Sequence, residues 1–344
     1  MYHIKDIKKV HLEISSKCNA RCPQCPRNFR GYPYNDGYPE TNLTLEQVQD
    51  IFYSDFVQQL DSIHINGNYG DMIMNPETID IVEYFRSHND QFQIRICTNA
   101  SAKPETFWKR LAELNCEIEF ALDGLEDTYA MYRQNTSWQT VIRNAKTFIS
   151  AGGYAIWKFI KFKHNQHQLT KCEHMSKQLG FSKFKTVDDG RDQGPVYDRQ
   201  GWHVYNMGDW TAYNEDHDNI AHDTVFHAIQ RRKDVVMLLE DVAQHETPKS
   251  SISCQAKNKK EIYITANGEV YPCCWLGMYP KTNTGFGTDQ AVINQQLQPM
   301  IGNNNALEHE LEDCIAWFNR IEQSWSCSTY EDGRLIQCDR VCGK

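Results

Sequence analysis

The stretch CNARCPQC, residues 18–25, directly follows KVHLEI, residues 9–14, a run with the pattern of a β-strand. It places the thiols of Cys18, Cys22 and Cys25 within one loop. Cysteine thiolates are the usual ligands of iron–sulfur clusters. A cubane cluster contains four irons, so three ligands leave one iron open to another molecule. The loop therefore predicts a reaction centre rather than a purely structural metal site.

The bulk composition sets the class of protein. The chain has 344 residues, 40% of them hydrophobic and 12% aromatic, which is enough for a proper core. It contains no long apolar run and no apolar signal segment at its start, so we expect a cytoplasmic protein without a membrane span. Thirteen cysteines in a reducing compartment are more often metal ligands or reactive thiols than disulfides. The net charge of −9, without a long basic run, disfavours a nucleic-acid substrate.

Residues 7–188 alternate between strand and helix patterns. Short apolar or alternating runs predict six strands, at Lys8–Ile14, Ser62–Asn66, Phe92–Thr98, Glu117–Leu122, Tyr154–Phe162 and Lys183–Val187. Strand–helix units in series predict a parallel sheet with right-handed crossovers. Six units are too few for a closed eightfold barrel, so we predict an α/β fold, a partial (β/α)6 TIM-like barrel. Ligands are then expected at the carboxyl ends of the strands, where the cysteine loop lies.

Three local patterns predict where helices begin. The run TLEQ at residues 44–47 is a capping box. Asn75 before Pro76 matches a cap followed by proline in the first helical turn. Ser137 can cap a helix with an apolar face.

The C-x3-C-x2-C spacing of Cys18, Cys22 and Cys25 resembles the signature of the radical S-adenosylmethionine (SAM) superfamily. The resemblance implies that the three thiolates hold a [4Fe–4S] cluster whose fourth iron binds the amino and carboxylate groups of SAM. It also implies that reduction of this cluster cleaves SAM to methionine and a 5′-deoxyadenosyl radical, which abstracts hydrogen from a substrate. A zinc knuckle is the alternative, but structural zinc takes four ligands and this loop offers three, with no nearby histidine.

Three further motifs follow successive predicted strands. NGNYGD, residues 66–71, is similar to the family's glycine-rich motif that holds the SAM amino group, with an aspartate in place of the glutamate. Residues 97–99, CTN, resemble its Thr-Asn-Gly segment, and residues 121–124, ALDG, its Ser-x-Asp-Gly element. An ordinary strand-to-helix turn explains each motif alone. The resemblance implies SAM or substrate contacts for Gly67, Asn68, Gly70, Asp71, Thr98, Asn99 and Asp123.

Other side chains near these motifs are candidates for contact with the substrate. Cys97 ends the third strand on the predicted active face and is a candidate hydrogen-atom donor, although a core thiol is commoner. Four cations could meet an anionic substrate group, or could simply be solvated; they are Arg133, Lys158, Lys161 and Arg191.

The tail, residues 251–344, contains seven of the thirteen cysteines. Residues 262–272 predict a β-hairpin with an Asn-Gly turn, which would fold Cys273 back toward Cys254. Near the end, Cys338 and Cys342 form a C-x3-C pair. Four thiols thus become available for one closed cluster.

This tail resembles the auxiliary-cluster extension of radical SAM enzymes called SPASM, or its shorter form, twitch. It lacks the denser cysteine run of SPASM, so a single twitch-like [4Fe–4S] cluster is the better interpretation. The resemblance implies ligation by Cys254, Cys273, Cys338 and Cys342, with Cys327 or Cys274 able to substitute for one of them. A four-cysteine zinc site is the alternative.

We therefore predict three regions: a radical SAM partial barrel at 1–190, a bridge at 191–250 with a helix over 223–243, and a twitch/SPASM-like iron–sulfur domain at 251–344. The resemblance implies an enzyme with two [4Fe–4S] clusters and SAM, a flavodoxin or ferredoxin as reductant, and a small molecule or peptide as substrate. The expected outcome is a dehydrogenation, an epimerisation or a crosslink. The alternative is an iron–sulfur electron-transfer protein, which the three-cysteine loop disfavours because such carriers close their clusters with four cysteines.

Overall fold

The computed structural model describes residues 3–33, 39–190, 194–207, 225–226, 229, 242, 246–278 and 290–344. Arg191 and most of the predicted helix over 223–243 lie outside the described residues. Among the residues that the structure describes, no helix is long and apolar enough to cross a lipid bilayer.

The elements are named in chain order. The strands are β1 (Lys9–Leu12), β2 (Ser62–Ile65), β3 (Gln93–Thr98), β4 (Cys116–Ala121), β5 (Tyr154–Lys161), β6 (Lys183–Asp188), β7 (Pro195–Tyr197), β8 (His203–Asn206), β9 (Glu261–Ile264) and β10 (Val270–Tyr271). The α-helices up to the bridge are α1 (Leu45–Ile51), α2 (Ser54–Gln59), α3 (Thr78–His88), α4 (Glu105–Glu113), α5 (Glu126–Tyr132), α6 (Trp138–Ser150) and α7 (Leu169–Gln178). Those of the tail are α8 (Gln255–Lys259), α9 (Cys274–Met278), α10 (Gln290–Leu297), α11 (Leu311–Ala316), α12 (Phe318–Ser324) and α13 (Ile336–Cys342).

One eight-stranded sheet forms the framework, in the order β10-β9-β1-β2-β3-β4-β5-β6. Strands β1 to β6 pair in parallel, each with the next, which confirms the predicted α/β partial barrel. The tail joins the same sheet, because β9 pairs in parallel with β1 and β10 folds back antiparallel to β9. The predicted hairpin is therefore present, and Gly268 in its turn has a φ of 82°.

The two faces of the sheet differ in chemistry, since successive side chains of a strand point to opposite faces. One face is apolar and buried, with Ile63, Ile94 and Trp157 each fully excluded from solvent. The other face, the interior of the partial barrel, carries a polar row in which neighbouring strands align His11, His64, Arg95 and Glu117. The interior is therefore suited to a hydrophilic ligand.

The helix starts follow the predicted caps in two of three cases. The capping box of Thr44 is present, and Ser137 caps α6 through its side chain. The third prediction was wrong, because α3 begins at Thr78 and not directly after Asn75. The Asn75 amide instead donates to the carbonyl oxygen of Ile14 at 2.8 Å, so this buried side chain joins two segments.

The two histidines of the polar row give the fold a pH dependence. Burial lowers the pKa of His11 to about 4 and that of His64 to about 3, below the value of about 6.5 in an unfolded chain. Below pH 6.5 the unfolded chain therefore binds protons that the folded protein does not, and stability falls until the pH reaches the folded pKa values. We expect a loss of about 1–2 kcal/mol per histidine between pH 7 and pH 5.

Urea unfolding of the purified protein at pH 7 and pH 5 measures this loss, with His64→Gln as the comparison variant. The variant should lose less stability than the wild type on acidification, by about the contribution of one histidine. Equal losses in the two proteins would contradict the prediction.

Candidate functional site

The three cysteines of the first loop share one electrostatic environment. The loop follows β1 at the carboxyl edge of the sheet; Cys22 is buried, and Cys18 and Cys25 are partly buried. Burial raises the pKa of Cys18 well above its ordinary value, and the Asp71 carboxylate, Cys25 and Cys22 raise it further. Three thiolates here need positive charge, which the irons of a cluster supply. The donor set fits a cluster held by three cysteines.

Two donors point at the sulfur atoms of this loop. The Asn99 amide nitrogen lies 3.6 Å from Cys18 Sγ, and Arg133 Nη1 lies 3.5 Å from Cys22 Sγ. Hydrogen bonds to cluster sulfurs are one way in which a protein tunes a cluster. Arg133 is held by Asp123, whose fully buried carboxylate accepts from Arg133 Nε at 2.6 Å. Asp123 thus positions a guanidinium over the cysteine loop.

Asp71 joins the loops that follow β2 and β3. Its buried carboxylate accepts from the Thr98 hydroxyl and from the Asn99 backbone N–H, each at 2.7 Å. Burial raises the pKa of Asp71, while these hydrogen bonds oppose the shift. The structure therefore brings together three residues that the sequence motifs singled out, with Asp71 as the link.

Glu13, which the sequence analysis did not single out, organises the glycine-rich loop. It follows β1 and is 1% exposed. One carboxylate oxygen accepts from the backbone N–H groups of Tyr69 at 2.9 Å and Gly70 at 2.7 Å, and the other from the Tyr263 hydroxyl at 2.7 Å. Burial raises the pKa of Glu13. Its position on the polar face, two residues after His11, was the only signal in the sequence.

The glycine-rich loop passes too close to its neighbours for side chains. A Cβ added at Gly70 would lie 1.7 Å from the carbonyl oxygen of Ser15. One added at Gly67 would lie 2.3 Å from the Gly70 carbonyl oxygen and 2.6 Å from Glu13 Oε1. Both glycines are therefore required by close backbone approach.

We expect Gly70→Ala to displace this loop, because the added methyl group meets backbone that cannot yield. The free energy of unfolding should fall by about 2 kcal/mol or more, which denaturant unfolding measures. Gly190→Ala is the matched control, since a Cβ at Gly190 meets nothing within 4 Å. An equal, small effect of both substitutions would contradict the expectation.

Cys97 lies on the interior face of the barrel, next to Lys158. Lys158 Nζ is 3.6 Å from Cys97 Sγ. The described candidate cations all have anionic neighbours: Arg133 pairs with Asp123, Lys161 lies 2.5 Å from Asp188, and Lys158 Nζ lies 3.6 Å from Glu119 Oε2.

The tail places four cysteines around one apolar cavity. Cys254, Cys273, Cys338 and Cys342 line it together with aromatic side chains such as Trp325. Burial raises the pKa of Cys273 well above its ordinary value, with nearby thiols adding to the shift.

Neither Cys327 nor Cys274 lines this cavity. Burial raises the pKa of the Cys274 thiol, and the nearby carboxylates of Glu261 and Glu13 raise it further. Among the described residues, no three His, Cys, Asp or Glu side chains converge at the spacing that holds a single metal ion. A cluster separates its ligands further, because each cysteine binds a different iron.

The two cysteine sites are connected through the glycine-rich loop. The Asn68 side-chain amide donates to the carbonyl oxygen of Cys274 at 2.9 Å, and the Tyr69 hydroxyl donates to that of Met278. Both acceptors belong to α9, which directly follows Cys273. Asn68 is thus engaged with the tail.

A parallel partial barrel with three thiols in the loop after its first strand is the arrangement of a radical SAM domain. Residues 12–160 match the family model of the Radical SAM superfamily, and this part of the chain is a radical SAM domain.

Individual relatives extend the comparison. The Tungsten-containing aldehyde ferredoxin oxidoreductase cofactor-modifying protein of Pyrococcus furiosus is 28% identical over 120 residues, 35% of this chain and 32% of that protein. The chain therefore matches about a third of the length of this curated relative.

Solved structures share the fold over most of the chain. SuiB of Streptococcus suis bound to S-adenosylmethionine has a TM-score of 0.56 at 14% identity, covering 96% of this chain and 71% of SuiB. SuiB bound to the precursor peptide SuiA gives 0.54 at 13% identity, covering 97% and 72%. The structure of anSMEcpe with bound AdoMet gives 0.54 at 15% identity, covering 95% and 85%.

Proposed function

We propose that this chain is a radical SAM enzyme, which cleaves SAM reductively and abstracts hydrogen from a substrate. The observation that carries the proposal is the three-thiol loop at the carboxyl edge of the sheet, with Asn99 and Arg133 pointing donors at its sulfurs. Its position within a radical SAM domain supports the same conclusion.

The proposal gives each part of the site a task. Cys18, Cys22 and Cys25 would hold a [4Fe–4S] cluster, which with SAM supplies a 5′-deoxyadenosyl radical when reduced. Arg133 offsets negative charge at Cys22, because its guanidinium stays protonated beside Asp123. The loop at residues 66–71, which Glu13 holds in place, would present its backbone to SAM.

For the tail, we propose a second [4Fe–4S] cluster held by Cys254, Cys273, Cys338 and Cys342. The shared, mostly apolar cavity supports this assignment. We propose that this cluster belongs to a twitch-like region at 251–344, after a barrel at 1–190 and a bridge at 191–250. With four cysteine ligands the cluster would have a redox role rather than bind substrate at an iron.

The substrate is proposed to be a peptide or a small molecule. SuiB has been solved with a precursor peptide, and its fold covers nearly all of this chain, which favours a peptide. The Pyrococcus furiosus protein is named as cofactor-modifying, which favours a small molecule. A flavodoxin or ferredoxin would supply the electron. The modification would be a dehydrogenation, an epimerisation or a crosslink.

The test is anaerobic reconstitution with iron and sulfide, followed by SAM and dithionite, with 5′-deoxyadenosine quantified by chromatography. Formation of 5′-deoxyadenosine above a control without protein is the expected result. If a protein loaded with about eight irons forms none and does not bind SAM in a titration, the electron-transfer alternative replaces the proposal.

A further inference from the structure

We propose that the interior of the barrel contains an anion-binding subsite at Lys158, which takes a carboxylate group of the substrate. This inference rests on the proposed function, because it names the chemistry of the molecule on which the radical would act. The subsite is formed by Lys158, Lys185 and Glu119, with Cys97 at its edge.

Two ammonium groups face one carboxylate at this point of the sheet. Lys158 of β5 and Lys185 of β6 are partners in register. Glu119 Oε1 accepts from Lys185 Nζ at 2.7 Å, whereas Glu119 Oε2 lies 3.6 Å from Lys158 Nζ, beyond hydrogen-bond distance. The Glu119 carboxylate is thus hydrogen-bonded to Lys185 and not to Lys158.

The remaining charges on this face do not neutralise Lys158. Arg95 pairs with Glu117 at 3.2 Å. His11 and His64 are uncharged near neutral pH, because burial lowers the pKa of both. Asp123 is engaged by Arg133. Two lysines against Glu119 therefore leave one net positive charge.

The ammonium group of Lys158 also has N–H donors that no strong acceptor engages at hydrogen-bond distance. An ammonium group offers three N–H donors, and the two acceptors nearest to Lys158 Nζ, the weak Cys97 thiol and Glu119 Oε2, each lie at 3.6 Å. A substrate carboxylate would provide oxygen acceptors for these donors and one negative charge to balance the net positive charge. A single excess charge matches a carboxylate better than a phosphate, whose charge approaches about −2.

The subsite lies beside the proposed reaction centre. Cys97 and Glu119 raise the pKa of Lys158 against the effect of burial, and the charge of Arg133 lowers it. Cys97 lies two residues before Asn99, whose side-chain amide nitrogen is 3.6 Å from Cys18 Sγ. The edge of the subsite and the cysteine loop are therefore joined through one short segment after β3.

Alkylation of Cys97 tests the subsite without SAM, clusters or a known substrate. In both iodoacetate and iodoacetamide the thiolate sulfur forms a bond to carbon and iodide leaves, so the thiolate fraction cancels in the ratio of their rates. Only iodoacetate carries a carboxylate. Mass spectrometry resolves the ratio at each cysteine of the purified protein, and Cys327, partly exposed and outside both sites, is the internal reference.

We expect the ratio of iodoacetate to iodoacetamide rates to be about five- to tenfold higher at Cys97 than at Cys327. Lys158→Gln should abolish this excess and Lys158→Arg should keep it, whereas Glu119→Gln should raise it. Equal ratios at the two cysteines, or no effect of Lys158→Gln, would overturn the inference. So would a Cys97 that reacts with neither reagent, because a substrate carboxylate could not reach Lys158.

Protection of Cys97 from iodoacetamide then distinguishes two sources of the carboxylate. Free glutamate represents a small acid, and a capped peptide with one glutamate side chain represents a peptide. Protection by either one supports the subsite and names the source, whereas protection by neither counts against it. Neither alkylation experiment needs SAM cleavage. If the protein shows the raised ratio at Cys97 but forms no 5′-deoxyadenosine, only the proposed function is refuted.

Discussion

Replacing Cys22 by alanine should abolish the formation of 5′-deoxyadenosine. Cys22 is one of only three thiols in the loop after β1, so no other cysteine of that loop can take its place. Removing a hydrogen-bond partner of a metal ligand typically costs about 10- to 100-fold in activity, and removing a ligand itself should cost more. We expect a loss of at least about 100-fold under reducing conditions with SAM in excess.

Cys327→Ala is the control for this variant. Cys327 is partly exposed and does not line the tail cavity. It should retain the wild-type rate of SAM cleavage after the same reconstitution. Retained cleavage in Cys22→Ala would show that the loop does not hold the reactive cluster.

The arrangement of the strands could be predicted only in part. The six barrel strands are short runs of apolar or alternating residues in series with capped helices, and such local patterns are visible in a sequence. The pairing of β9 with β1 is not visible, because it joins residues 9–12 to residues 261–264 across most of the chain. The 262–272 pattern predicted a hairpin but could not name its neighbour.

The candidate site divides in the same way. The C-x3-C-x2-C spacing of the first loop is local, so its three thiols could be singled out from the sequence. The four tail thiols are spread over residues 254–342, and only the fold places them around one cavity. The task of Glu13 could not be predicted, since two of its three donors are backbone N–H groups, which leave no trace in residue type. Asp123 was recognised as a motif residue, but its hold on Arg133 depends on a side-chain contact that only the fold provides.

A substitution in the tail should distinguish the contributions of the two proposed clusters. Cys338→Ala removes one of the four thiols that line the cavity. We expect the iron content to fall from about eight to about four per chain, because the first loop is unchanged. Thermal stability should fall too, since a cluster that binds only the folded tail stabilises it. SAM cleavage without substrate should persist.

Cys274→Ala is the matched control, because Cys274 neighbours Cys273 in sequence but does not line the cavity. It should keep about eight irons and the wild-type melting temperature. Loss of iron in Cys274→Ala with none in Cys338→Ala would assign the ligand to Cys274 instead. Zinc in place of iron at the tail, measured by elemental analysis after purification, would make the site structural. If Cys338→Ala loses iron only from the tail and still cleaves SAM, the second cluster would act after the radical is formed.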